Sequence, residues 1–381
     1  MADSSSAIVQ PPKDRRNTIT VALSARALFD LETENKFYQE NGLEAYIQHM
    51  VERENEVLGK GPAFEFVESA LAVNNRIRKL DPKDNELFDI VIVSRNHAQA
   101  AIRLINSINH YGLCLERITL AGGADPTTYL GAWKADLFLS PDEHDVRSAI
   151  KAGFPAAVVY PYTGEDLPND QLRIVFDGDA VLFSDEAERV YQQRGFPAFV
   201  ENERQKAGMP LDEGPLRKFA SRIAAIQEKF HAKEVPCPIR TYILTARSGA
   251  SAGKRAILTL REWGLKIDEC TFNAGASKAA MLKAIKPHLF FDDSPSHIDA
   301  ALEENIPAAR VLYGIKDEKV ETKPAEKVEA KRAEKVEAKP AEKVEAKPAE
   351  RSKKRGREKV VECDVAKGTL KEHFPVKKTK S

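Results

Sequence analysis

Two stretches of this chain pass through the same succession of turns and apolar runs about 150 residues apart, over the length of a whole domain. Gly61-Pro62 returns as Gly214-Pro215, and Ile92-Val93-Ser94-Arg95 returns as Ile243-Leu244-Thr245-Ala246. Ala121-Gly122-Gly123 returns as Ala274-Gly275-Ala276, and Pro155-Ala156-Ala157 as Pro307-Ala308-Ala309. A near-constant offset over so many elements predicts one domain-sized unit in tandem duplicate. In each unit short runs rich in branched and aromatic residues alternate with helical patterns. Residues 18–23, 89–93, 117–120, 135–139 and 156–160 are such runs in the first unit. That alternation predicts βαβ units and a mostly parallel sheet, an α/β fold present twice, over residues 17–165 and 166–316.

Comparing the units isolates what only the second one has. Its run at 172–176 delivers Asp177-Gly178-Asp179 to a strand end, where the first unit has Ser24-Ala25-Arg26. Asp292-Asp293 stands where the first unit has Ser140-Pro141, and Lys278 falls opposite Asp125 or Pro126. Similar scaffolds with and without the acids mean that the fold does not require them, so the first copy reads as chemically inactive. Taken singly, each residue has a plain structural role. Asp-Gly-Asp is turn chemistry, Thr245 a cap or turn residue, Lys278 a solvated helix charge behind Ser277 as N-cap, and Asp292-Asp293 another turn. In a parallel sheet, however, the ends of these strands all face one side and converge on one crevice.

The combined chemistry is that of phosphoryl transfer. Asp177 is placed to attack phosphorus as a covalent nucleophile, and Asp179 to protonate the leaving alkoxide and then activate water. Asp177 and Asp292, with a backbone carbonyl and with Asp179 and Asp293 beside them, offer the hard oxygen ligands that Mg²⁺ favours. Lys278 adds a cation for the phosphoryl oxygens, and the Thr245 hydroxyl a directional hydrogen bond. Phe183, Arg247 and Ser248, next to these positions, are candidate substrate contacts: Phe183 for stacking on a base, Arg247 for phosphate or base.

Asp177-Gly178-Asp179-Ala180-Val181, Thr245, Lys278 and Asp292-Asp293 resemble the four motifs of the haloacid dehalogenase superfamily, in its phosphatase branch. The longer runs 176–186, 21–30 and Phe290-Phe291-Asp292-Asp293 are similar to the cytosolic 5′-nucleotidase type I family, over roughly residues 17–314. The resemblance implies a Rossmann-like sheet of the dehalogenase type and a Mg²⁺-dependent hydrolase of nucleoside 5′-monophosphates. AMP and some deoxynucleoside monophosphates are the implied substrates. A cap inserted at about 185–238, with helices near 185–194 and 216–230, is expected to select among them. A phosphatase of sugar phosphates on the same motifs, and a non-catalytic nucleotide-binding scaffold, are the competing readings. For the first copy two roles stand: a packing partner, or a crevice for a regulatory nucleotide with Ser94, Arg95 and Asn96 at its mouth.

Composition narrows the setting. Lys plus Arg equals Asp plus Glu at 58 each, so no global field draws in nucleic acid or anionic membrane. Cys114, Cys237, Cys270 and Cys363 show no paired spacing, which argues against a zinc site or disulfide framework and for a reducing compartment. No apolar run reaches spanning length and the first 16 residues carry no apolar core, so a cytoplasmic protein is expected. A homo-oligomer is compatible with all of this. The first 16 residues read as a disordered leader. Residues 317–381, with their recurring Ala-Glu-Lys-Val-Glu-Ala-Lys and the basic Arg351–Arg357 cluster, read as a charged low-complexity tail.

Overall fold

The computed structural model describes residues 17–84, 87–163, 167–168 and 170–317; the leader and the charged repeats lie outside the described residues. In chain order its strands are β1 (Ile19–Leu23), β2 (Phe29–Asp30), β3 (Gly59–Lys60), β4 (Phe88–Ser94), β5 (Arg117–Leu120), β6 (Leu137–Ser140), β7 (Ala156–Val159), β8 (Leu172–Phe176), β9 (Ile239–Thr245), β10 (Glu269–Phe272), β11 (Leu289–Asp292) and β12 (Ala308–Arg310). β2 and β3 form a small ribbon of their own; the other ten make one sheet in the order β10-β9-β8-β11-β12-β7-β6-β1-β4-β5. Each half of that sheet places its five strands alike, the third, second, first, fourth and fifth side by side.

Within each half every pairing is parallel. The halves meet at an antiparallel seam, Val159 opposite Ala309 and Val158 opposite Arg310. The expected mostly parallel α/β sheet is present, but the halves share it instead of each closing one of its own. Because the seam is antiparallel, the carboxyl ends of the two sets of strands line opposite edges of the sheet.

The strands form as they do because both faces are covered. β1 and β4 are buried along their whole length, as runs such as Ile-Thr-Val-Ala-Leu demand when helices pack on each side. Alternate residues serve different cores. Val21, Leu23 and Phe64 join Phe176, Phe219 and Phe291 in one core that spans both halves. On the other face Ala22, Val91 and Phe138 pack within the first half, and Val175, Leu244 and Phe290 within the second.

Local details recur too. Helix Glu32–Glu52 kinks at Gly42 and helix Glu186–Gln205 at Gly195, each with φ 79°. The expected cap helix near 185–194 therefore continues beyond its glycine. Gly195 takes the left-handed bend and Pro197 starts the second segment, where a missing N–H costs nothing. The next helix, Arg217–His231, begins and ends near the expected bounds, but its Phe219, Ile223 and Ile226 are packed in the core beneath the sheet and do not form a cap over the crevice. Arg103 Nε donates to Glu56 O at 2.9 Å, and Arg255 Nε donates to Met209 O at 3.0 Å. Among the described residues no helix is long and apolar enough to cross a membrane.

Candidate active site

The site begins below the sheet edge. The rings of Phe176 and Phe291 stack between β8 and β11, and Phe219 of helix Arg217–His231 meets both edge-on. Each of the first two rings is followed directly by an aspartate. Asp177 N donates to Phe291 O at 2.8 Å, which locks the two strand ends together.

Above them Lys278 Nζ lies 2.8 Å from Asp177 Oδ1 and 2.6 Å from Asp292 Oδ2, with all three residues buried. Helix Ala279–Ile285 starts immediately after Lys278, and Ser277 Oγ accepts Ala279 N–H at 3.3 Å. The expected convergence of Asp177, Lys278 and Asp292 from separate elements is seen. Burial raises the Asp177 carboxyl to about 6, with Asp292 adding to the rise and Lys278 opposing it. Asp292 goes the other way: Lys278 and His297 together outweigh its burial and hold it low. Two carboxylates facing one ammonium therefore divide into an ionised one and a reluctant one.

His297 completes this group, its Nδ1 3.1 Å from both oxygens of Asp292. No motif in the sequence marks it, although it lies in the first turn of helix Pro295–Glu303, behind the paired aspartates. Donor atoms of Asp177, Asp292 and His297 all lie within 4.8 Å of one another. Two carboxylates and an imidazole that close fit a divalent cation, whose charge would favour the ionised form of both acids. The nitrogen makes the set less purely oxygen than expected for Mg²⁺.

Asp179 and Asp293 stand outside that triad. Asp293 meets Lys316 at 3.2 Å, and burial raises its carboxyl well above the ordinary range. Lys316 also reaches Glu188 at 4.0 Å, so a residue placed at the edge of the tail by composition is part of the site's surroundings. Asp179 is gripped by Arg247, with Nε donating to Oδ2 at 2.9 Å and Nη2 to Oδ1 at 2.7 Å.

The three candidate substrate contacts are placed differently from one another. Arg247 is buried against Asp179 and Glu203. Phe183 is 0% exposed, its ring 5.7 Å from that of Trp263, so in this structure it packs in the core and offers no face to a base. Ser248 is half-buried, and its carbonyl accepts the amides of Ala252 and Gly253. Thr245 Oγ1 accepts Arg247 N–H at 3.2 Å, and a Cβ on Gly178 would approach that oxygen to 3.0 Å. The glycine therefore lets the loop between the two acids lie directly against the threonine.

The first half shows the same strand ends with other chemistry. Ser24, at the place of Asp177, caps a short helix by accepting Ala27 N–H at 3.2 Å. Ser140 accepts Asp142 N–H at 3.2 Å, just as Asp292 accepts Ser294 N–H at 2.8 Å. In the first half a serine caps the backbone at both strand ends where the second half has aspartates.

The family described as 5′-nucleotidase matches residues 11–318. A human relative, cytosolic 5′-nucleotidase 1B, is 46% identical over 294 residues, which cover 76% of this chain and 48% of the relative. The chain thus spans about half the length of that curated relative. No solved structure matches.

Proposed function

We propose that this chain, which belongs to the 5′-nucleotidase family, hydrolyses nucleoside 5′-monophosphates, AMP among them, through a phospho-aspartate on Asp177. The observation that carries this is the buried Lys278 joined to both Asp177 and Asp292 at adjacent strand ends. Such a group presents a carboxylate nucleophile and a fixed cation to one phosphoryl group. In this reading Asp179 handles the proton of the leaving 5′-oxygen and then of the attacking water. Mg²⁺, held by Asp177 and Asp292 with His297 close by, would neutralise phosphoryl charge when bound. Asp293 and Lys316 would set the charge at its rim. The relative's name, a cytosolic 5′-nucleotidase, supports the cytoplasm as the compartment.

The like order of strands, kinks and hydrogen bonds in the two halves supports a dehalogenase-type unit present in duplicate. The first half then has its own crevice, a cavity of about 350 Å³ lined by Arg26, Tyr38, Tyr46, Arg95 and Asn96. The buried Asn96 Nδ2 has no partner among the described residues. Arg26 and Arg95 pair with Glu32 and Asp145 at its wall, and with the two tyrosines and the unmet Asn96 donor they favour a regulatory nucleotide there.

Phosphate release from a panel of nucleoside and sugar monophosphates tests the catalytic reading. Release from AMP should stop on chelation, return with Mg²⁺ and be absent in Asp177→Asn. Release that survives Asp177→Asn, or that is fastest from sugar phosphates, would overturn it. Binding of ADP to Asp177→Asn at a second site per chain tests the first-half crevice; a single site would count against it.

A further inference from the structure

Behind Asp179 runs a buried line of alternating charge. Arg247 grips Asp179 with one edge and donates Nη1 to Glu203 Oε2 at 2.6 Å; Glu203 Oε1 accepts Arg255 Nη1 at 2.9 Å; Arg255 Nη2 reaches Glu186 at 3.0 Å. The Arg247 and Glu203 side chains are 1% and 0% exposed. Glu203 lies beyond the Gly195 bend, in a segment folded back on its own start, where Asn202 and Lys206 meet Glu186.

The first half shows which part of this line the fold needs. Arg103, the counterpart of Arg255, is kept and pairs with Glu34 at 2.7 Å. At the places of Asp179, Arg247 and Glu203, however, stand Arg26, Asn96 and Met50, and Arg103 Nη1 merely approaches Met50 Sδ at 4.0 Å. A network that the scaffold required would appear in both halves. This limb occurs only where the acids do.

We propose that Glu203 is a positioning residue for the reaction: through Arg247 it fixes the carboxylate of Asp179, and so ties the cap segment to the chemistry. The inference rests on Asp179 acting on the leaving group, as proposed for this site. A guanidinium held at both ends presents its two-pronged edge in one orientation; held only by Asp179, it can turn with it. Glu203 touches neither substrate nor reacting atoms.

The test compares AMP, whose alkoxide must be protonated on departure, with p-nitrophenyl phosphate, whose phenolate leaves unaided. It uses the full chain with Mg²⁺ and reads kcat/KM, which reports the steps through leaving-group departure. In Glu203→Gln and Glu203→Met, kcat/KM for AMP should fall on the order of 10- to 100-fold, while that for p-nitrophenyl phosphate stays within about twofold. Asp179→Asn should show the same selectivity, more strongly. Equal losses on both substrates, no loss on either, or failure of both Glu203 variants to fold would overturn the positioning role. If Asp179→Asn itself shows no leaving-group selectivity, the reading of Asp179 falls instead.

Discussion

Phe176 and Phe291 stack with ring centroids 5.5 Å apart and planes 11° from parallel, each one residue before an aspartate of the site. Aromatic packing and the placement of Asp177 and Asp292 are therefore set by the same two strand ends. Phe291→Ala removes the ring beneath Asp292 and should lower the unfolding free energy by about 3–5 kcal/mol, whereas Phe291→Leu should cost about 1 kcal/mol. Urea unfolding of the two variants measures both. A loss below about 1 kcal/mol in the alanine variant would mean that the stack does not support this edge.

Gly214 sits where a side chain has no room. A Cβ there would lie 2.4 Å from Phe183 O, 2.6 Å from Val181 O and 2.7 Å from Leu182 C, all backbone atoms of the turn after Asp179. Gly214→Ala should destabilise by about 1–3 kcal/mol and slow turnover, because the turn must shift. Gly208→Ala, which meets nothing within 4 Å, is the matched control and should leave both unchanged.

His288 gives stability a pH dependence of known sign. Burial lowers its imidazole to about 4, against a backbone hydrogen bond at Pro168 that favours the cation and with help from Arg173. Its Nδ1 accepts Arg173 N–H at 3.0 Å, a role only the neutral ring can fill. The folded value lies below the unfolded one, so the unfolded chain takes up the proton first. The stabilisation is complete above about pH 6.5 and drains as pH falls toward 4, by roughly 3 kcal/mol in all. Unfolding curves at pH 7 and pH 5 should differ less in His288→Gln than in the parent. An unchanged difference would assign the dependence to other groups.

Two truncations distinguish the last described residues from the charged repeats beyond them. Ending the chain after Asp317 should leave turnover of AMP within about twofold. Ending it after Gly314 removes the Ile315 N–H donated to Asp185 Oδ2 at 2.9 Å, the Lys316–Asp293 pair and the Asp317–Arg147 pair. That loss should cost about 1–3 kcal/mol of stability and reduce activity. Equal behaviour of the two truncations would show that these contacts do not matter.

The repeat made much of this fold legible, because near-constant spacing carries over directly into a like strand order. The order of Asp177, Thr245, Lys278 and Asp292 was legible as well, since parallel strands bring their ends to one edge. Other features depend on contacts that no local pattern encodes. The seam joins β7 and β12, two short strands whose sequences say nothing of a mutual antiparallel pairing. Helix Glu186–Gln205 runs past a glycine and a proline that read as a stop. Arg247 and Ser248 come shortly after a motif residue and looked like substrate contacts, yet the Arg247 side chain turns inward to Asp179. Glu203 sits in a stretch dense with charge, where a buried acid looks like any solvated one, and Lys316 borders a lysine-rich tail in which no local pattern sets it apart.

The seam between β7 and β12 also changes what substitution can do. Two like bodies joined back to back are the arrangement of a two-fold dimer, but in a homodimer every substitution falls on both partners at once. A single chain escapes that constraint. Arg26 can occupy one seat while Asp179 keeps the other, and Ser24 can cap a helix while Asp177 faces a lysine. The like strand order runs through the whole sheet, and one chain can still carry aspartates at one set of strand ends and serines at the other.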